Sequence, residues 1–228
     1  VSLPFCDLGG VLADNADIRE HLVAEAKTLA KKNSIKTLEI RASGSVLKRE
    51  AAPETGKAAE SLPAHTKVRM LCELPENSEA LFKSYKPKLR SQIRKAQKNG
   101  LRAELLTEPD AVNLFYDVFS QNMRRLGSPV HSLQWFKDLK AAYGDHLLIS
   151  VVFQGEKPVG AGIVLLGGKQ ACIPWASTLE EFNRLAPNML LYWTLLSHVC
   201  DLGYTLFDFG RSTLGEGTYR FKKQWGAE

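Results

Sequence analysis

The chain has 228 residues, 44% hydrophobic and 24% charged, with a net charge of +5, the balance of a folded globular protein with room for one large or two small domains. No apolar run reaches the roughly 18–20 residues of a membrane span, and the opening Val1-Ser-Leu-Pro-Phe lacks the regions of a signal peptide. Cys6, Cys72, Cys172 and Cys200 form no C-x-x-C pair and the five histidines have no ligand spacing, which argues against a metal site or dithiol chemistry and for a reducing cytoplasm.

In chain order the pattern alternates strands and helices. A strand at about 3–8 leads through Gly9-Gly10 to a helix at 16–32, with Asp14 or Asn15 as its cap. Residues 36–41 read as a strand and 43–65, without periodicity, as a surface loop. A strand at 66–73 precedes one long helix, 78–99, closed by Gly100. A strand at 101–106 and helices at 108–126 and 132–143 follow. Strands at 147–153, 158–166 and 169–177 are joined by tight turns at Gly155 and at Gly167-Gly168. A helix at 188–202 begins after Pro187, and a strand at 204–209 leads into a flexible turn with Gly215 and Gly217, followed by the aromatic and basic tail.

Helices 16–32 and 188–202 are each followed by a short strand, and laying Glu39 on Asp208 gives an offset of 169. The same offset places Leu3–Leu8 on Cys172–Ser177. This weak repeat implies two α/β units: residues 1–66 as the end of a first, and 67–228 as a complete second. The first unit then begins roughly 100 residues before Val1.

Three segments carry charge or aromatics in patterns that bear on chemistry. Between Lys83 and Arg102 lie eight basic residues and no acidic one. On the helix 78–99, Leu81, Phe82, Tyr85, Leu89, Ile93 and Ala96 make a core stripe, while Lys86, Arg90, Arg94 and Lys98 recur every four residues on another face. That row is either a solvated face or a phosphate or nucleic-acid contact. Between the strand 169–177 and the helix 188–202, Thr178-Leu-Glu-Glu-Phe-Asn-Arg-Leu-Ala-Pro187 brings two acids and no glycine to a helix N-terminus, an arrangement unsuited to a pyrophosphate. In the tail, Asp208 and Arg211 end a strand and Tyr219, Arg220, Phe221, Lys222, Lys223 and Trp225 follow within seven positions. Asp208 and Arg211 are either a structural ion pair or part of a site; Phe221 and Trp225 suit packing.

The order of elements after residue 67 is similar to that of acyl-CoA N-acyltransferases, which splay two neighbouring strands around the acyl donor. Phe207-Asp-Phe-Gly-Arg-Ser-Thr213 with Tyr219-Arg-Phe-Lys-Lys-Gln-Trp-Gly226 resembles the end of FemAB-type proteins, most of all the branch associated with the exosortase/PEP-CTERM system of Gram-negative bacteria. Pro4-Phe with Gly9-Gly-Val-Leu-Ala-Asp14, Lys88-Leu-Arg-Ser-Gln-Ile-Arg-Lys-Ala-Gln-Lys-Asn-Gly100 and Ala186-Pro-Asn-Met-Leu-Leu-Tyr-Trp193 agree with it.

The resemblance implies a mixed α/β fold of tandem GNAT-like acyltransferase domains, the first N-terminally truncated. It implies transfer of an amino acid from aminoacyl-tRNA to an amine of a peptidoglycan precursor in the cytoplasm. In the branch resembled, exopolysaccharide and protein-sorting functions widen the choice of acceptor. Phe221 and Lys222 match a pair at the family's substrate cleft. Lys222, Asp208 and Tyr219 are the candidate catalytic residues; Arg90, Arg94, Lys98, Arg211, Arg220, Phe221, Asn188 and Trp175 are candidates for substrate binding. No cofactor, metal or membrane insertion is expected. The competing readings are an acyl-CoA-dependent N-acyltransferase and a non-catalytic module that binds RNA or another polyanion through residues 83–102.

Overall fold

The structure is a computed structural model that describes residues 10–38, 40, 67–108 and 110–228. The chain divides into two compact units, Val1–Leu62 and Pro63–Glu228. In the first, helix α1 (Ala16–Lys32) starts where Asn15 Oδ1 accepts the Ile18 N–H at 2.9 Å. The strand expected at 36–41 is not present at residues 36–38 or 40. Alternation supplies a face, but a strand also needs a paired neighbour, and among the described residues 36–38 and 40 belong to no strand. The strand at 3–8 and the loop at 43–65 lie outside the described residues, as does half of the pattern on which the repeat rests.

The second unit is a mixed α/β fold. Its strands β1 (Lys67–Glu73), β2 (Leu101–Leu106), β3 (Leu147–Gln154), β4 (Lys157–Gly167), β5 (Gln170–Thr178) and β6 (Leu206–Thr213) form one sheet in the order β1-β6-β5-β4-β3-β2. The pair β5–β6 is parallel and every other pair antiparallel. Helices α2 (Ser78–Ser84), α3 (Pro87–Lys98) and α6 (Pro187–Asp201) pack in one core with Met70, Ile173 and Phe207. Helices α4 (Ala111–Arg125) and α5 (Leu133–Tyr143) build a second core, in which Phe115, Phe119 and Phe136 meet Ile149, Val151 and Ile163. Alternate residues of β3 therefore enter different cores, Val151 one and Val152 the other. That is why a strand covered on both faces reads as an unbroken apolar run.

The expected helix 78–99 is two helices. Tyr85 (ψ 144°) and Lys86 (ψ 147°) are extended, and Pro87 opens α3. Proline has no N–H to continue the ladder and disfavours helical backbone in the residue before it. The apolar stripe survives the break, because Leu81, Tyr85, Leu89, Ile93 and Ala96 are all buried. The turn expected around Gly215 is present at residues 214–216, and Gly217 opens a helix for which no secondary structure was expected, α7 (Gly217–Gln224). Trp225 behind it is fully buried at 1% exposure, worth about 2–3 kcal/mol for so large a side chain.

The first turn of α6 lies close on β4. A Cβ added to Gly160 would stand 3.5 Å from Pro187 Cβ and 3.2 Å from Thr178 Cγ2. Glycine at 160 lets the helix start approach the sheet.

Candidate functional site

Strands β5 and β6 are paired at three positions, Gln170–Leu206, Ala171–Phe207 and Cys172–Asp208. Beyond them β5 stays with β4 through Trp175–Ile163 and Thr178–Gly160. Strand β6 stays with β1 through Arg211–Arg69 and Thr213–Lys67. The two strands therefore separate, and a gap opens in the sheet past Cys172 and Asp208. Pro174 and Gly210 each stand two residues beyond the last pair. Pro174 has no N–H to give a neighbour. Gly210, at φ 72°, sits in a bulge where Phe209 and Gly210 together face Met70, a backbone that favours glycine.

Asp208 builds that bulge. Its Oδ1 accepts the Gly210 N–H at 2.8 Å, while Oδ2 accepts Arg69 Nε at 2.9 Å and Nη2 at 2.8 Å. The ion pair at this strand end thus joins Asp208 to Arg69, a residue on β1 that the sequence pattern did not single out. Asp208 is 7% exposed, and its oxygens hold three donors of its own chain.

Lys222 reaches the open stretch of β6 from α7. Its Nζ donates to the Arg211 main-chain oxygen at 3.0 Å. Tyr219, three residues before it, is on the same face of the helix, partly buried, with Lys223 Nζ 5.7 Å from its ring centroid. Arg220 is exposed. Phe221 meets Tyr192 of α6 edge-on at 4.9 Å, and Tyr192 is stacked with Phe209 at 5.8 Å and Trp225 at 6.1 Å. Burial pushes the Tyr192 hydroxyl well above the usual tyrosine range. The sequence carried Tyr192 only within the segment Ala186–Trp193, without singling it out as a site residue.

Asn188 is in the first turn of α6, partly buried. Ahead of it the acidic segment folds as a 3₁₀ helix, Glu180–Leu185, followed by Ala186 in left-handed backbone at φ 63°. Glu180 pairs with Arg125 at 3.4 Å and Glu181 with Lys157 at 3.7 Å, which neutralises them without adding much stability at such exposed positions. Of the amides that a helix N-terminus would turn toward an anion, Pro187 has none and the Met189 N–H is taken by the Ala186 oxygen at 3.0 Å.

Trp175 lies on the other face of the sheet from α7. It packs in the second core against Trp135 and Phe136, each at 5.3 Å. Arg90, Arg94 and Lys98 are on α3, which packs on α6 and β2, whereas α7 packs on β6 and β1. The structure thus gathers Asp208, Arg211, Phe221, Lys222 and Tyr219 along β6 and α7, and leaves Trp175 and the basic row outside that group. Asn99, which follows α3, donates to the Leu185 oxygen at 3.2 Å, tying the end of the basic helix to the start of α6. Among the described residues no cluster of His, Cys, Asp and Glu is suited to a metal, and no helix is long and apolar enough to cross a membrane.

Residues 83–223 match the family described as Acetyltransferase (GNAT) domain. Among solved structures the chain is similar to FemX, with a TM-score of 0.62 at 14% identity over 70% of this chain and 58% of that one. It is also similar to the C-terminal domain of a putative lysylphosphatidylglycerol synthetase from Agrobacterium fabrum, with a TM-score of 0.52 at 12% identity over 72% and 58%. The L-PGS of Bacillus licheniformis gives the same four values. At these identities the likeness is one of fold, and the chain spans about 58% of the length of each. No curated protein matches the sequence.

Proposed function

The chain belongs to the acetyltransferase (GNAT) domain family, matched over residues 83–223, and from that premise we propose that it moves an aminoacyl group from tRNA onto an amine of a cell-envelope precursor. The observation that carries this reading is the gap between β5 and β6, with the Lys222 ammonium held beside it by the Arg211 oxygen. An acyl group lying in the gap has a cation within reach of its carbonyl. The acceptor nitrogen attacks that carbon, a C–N bond forms, and negative charge gathers on the carbonyl oxygen, where Lys222 stabilises it. Collapse breaks the ester C–O bond. The nitrogen gives up a proton and the departing ribose oxygen takes one, and no covalent intermediate with the protein is needed.

Tyr219, on the same face of α7, is our candidate to carry the proton. Asp208 acts by position: it fixes the Gly210 bulge and the direction in which β6 leaves β5. The family's name makes acyl-CoA the alternative donor. The start of α6 disfavours it, because Pro187 and the Met189–Ala186 bond remove amides that would hold a pyrophosphate. Lysylphosphatidylglycerol synthetase and FemX share the fold, which agrees with an aminoacyl donor, and the resemblance to FemAB-type proteins points to peptidoglycan or exopolysaccharide precursors as acceptors. The reaction requires no metal or organic cofactor. The proposed compartment is the cytoplasm, where charged tRNA is found.

The test is to incubate the intact protein with radiolabelled aminoacyl-tRNAs and, separately, acyl-CoAs, each with a panel of amine-bearing envelope precursors. Label moving from the tRNA pool to a precursor supports the proposal. Product from acyl-CoA alone overturns the donor, and label remaining on every donor with folded protein overturns the activity.

A further inference from the structure

The cationic face of α3 is not neutralised by its surroundings. Among the described residues, Lys86, Lys88, Arg90, Arg94, Lys95 and Lys98 make no ion pair and no side-chain hydrogen bond. Arg90 Nε is buried without an acceptor. Lys86, Arg90, Arg94 and Lys98 stand four residues apart, about 6 Å per step along the helix, so the row spans roughly 18 Å. Such a ladder of single charges suits a chain of phosphates better than one compact anion.

An aromatic ring adjoins this row and a second packs on it. The Arg94 guanidinium lies 5.2 Å from the centroid of Phe82 on α2, and Phe82 meets Trp193 of α6 at 5.0 Å. Both rings are partly buried and Arg94 is exposed. A guanidinium and aromatic faces beside a run of cations are what unpaired bases and their backbone recognise, through stacking and charge. The surface also leads toward the proposed reaction centre. Asn99 at the far end of α3 bonds Leu185, and Trp193 shares α6 with Tyr192, which contacts Phe221 beside Lys222.

We propose that Phe82 and Trp193, with Arg94 and the cation row of α3, form a stacking platform that holds the unpaired end of the RNA donor. The inference rests on the tRNA-donor reading and extends it to Phe82 and Trp193, to which the sequence reading gave no role in binding. Stacking accounts for the rings and phosphate contact for the row; a protein partner would bring carboxylates to the same cations and leave the rings to pack as they do now.

The test uses the intact protein with two probes: a deacylated tRNA pool, and the same pool trimmed of its unpaired 3′ nucleotides. Filter binding across a salt series is measured for wild type, Phe82→Leu, Trp193→Leu, Phe82→Tyr and Arg94→Gln. Phe82→Leu and Trp193→Leu should each weaken binding of the full pool roughly tenfold and leave the trimmed pool unchanged. Phe82→Tyr should keep wild-type binding, and Arg94→Gln should lower the salt slope by about one. Wild-type affinity in both leucine variants overturns the platform while leaving the tRNA donor intact. A loss that Phe82→Tyr shares marks a packing role and overturns it too. If the wild-type protein binds neither pool and transfers from acyl-CoA, the donor reading itself fails.

Discussion

Arg69 and Asp208 clasp β1 to β6 where the sheet opens. Both the Nε and Nη2 donors of Arg69 reach one carboxylate oxygen, at 2.9 and 2.8 Å, and the other oxygen holds the Gly210 N–H at 2.8 Å. The arginine side chain is 23% exposed and the aspartate 10%, so removing one partner strands a poorly solvated charge. Asp208→Ala is expected to destabilise the fold by about 2–4 kcal/mol. Denaturant midpoints check this, and a loss below about 0.5 kcal/mol, the level of an ordinary surface change, would show that the clasp is dispensable.

Lys222 is expected to separate chemistry from folding. Its Nζ donates to the Arg211 oxygen at 3.0 Å, a bond worth about 1 kcal/mol, and Lys222→Ala should still fold, with a cooperative melt. Loss of the cation beside the carbonyl should slow transfer about 10²–10³-fold. Initial rates alongside melting curves decide it: full turnover in the alanine variant removes Lys222 from the reaction.

Tyr219→Phe keeps the ring under Lys223 and deletes the hydroxyl. If that hydroxyl carries the proton, kcat falls about 10²-fold while KM is little changed. A pH–rate profile identical to wild type would leave Tyr219 a packing residue.

The thiols predict a stability slope in alkali. Burial, aided by Glu73, pushes Cys72 up to about 11, and burial, aided by Asp208, pushes Cys172 up to about 11. A thiol raised above its unfolded value of about 8.5 stabilises the native state below that pH. The contribution fades as pH rises toward 11. Urea midpoints should therefore fall between about pH 9 and 11, and less steeply in a Cys72→Ala, Cys172→Ala variant. Equal slopes would place the alkaline loss elsewhere.

Gly160 is expected to control the start of α6. The side chain of Gly160→Val would meet Thr178, Val152 and Pro187, at a cost of about 2–3 kcal/mol. If the first turn of α6 borders the donor, the KM for donor should rise more than the KM for acceptor, and equal rises would separate the turn from donor binding.

Local signals were legible in the sequence because a few neighbouring residues carry them. Asn15 caps α1, which runs over Ala16–Lys32 as the pattern predicts. The turns at Gly155 and Gly168, with φ of 59° and 58°, join the strands expected around them. The break at Pro87 was also written in the chain, but the buried stripe through Tyr85 and Leu89 continues across it and masks it. The order of the six strands from Lys67 to Thr213, the basic row and the terminal motif needed nothing beyond the sequence.

What the tertiary structure decided depends on partners far apart in the chain. Arg69 and Asp208 are 139 residues apart, and no spacing rule connects them. The gap exists because β5 keeps β4 and β6 keeps β1 once Pro174 and Gly210 end their own pairing, a competition between strands that no single segment encodes. Trp175 faces the second core because the bulge between Ile163 and Leu165 resets which side of the sheet its ring enters. Past the turn at Gly215, α7 is held in place by burial of Trp225 against Tyr85 and Tyr192, partners more than thirty residues away in the chain. Local preference sets the elements; long-range burial and pairing set where Lys222 ends.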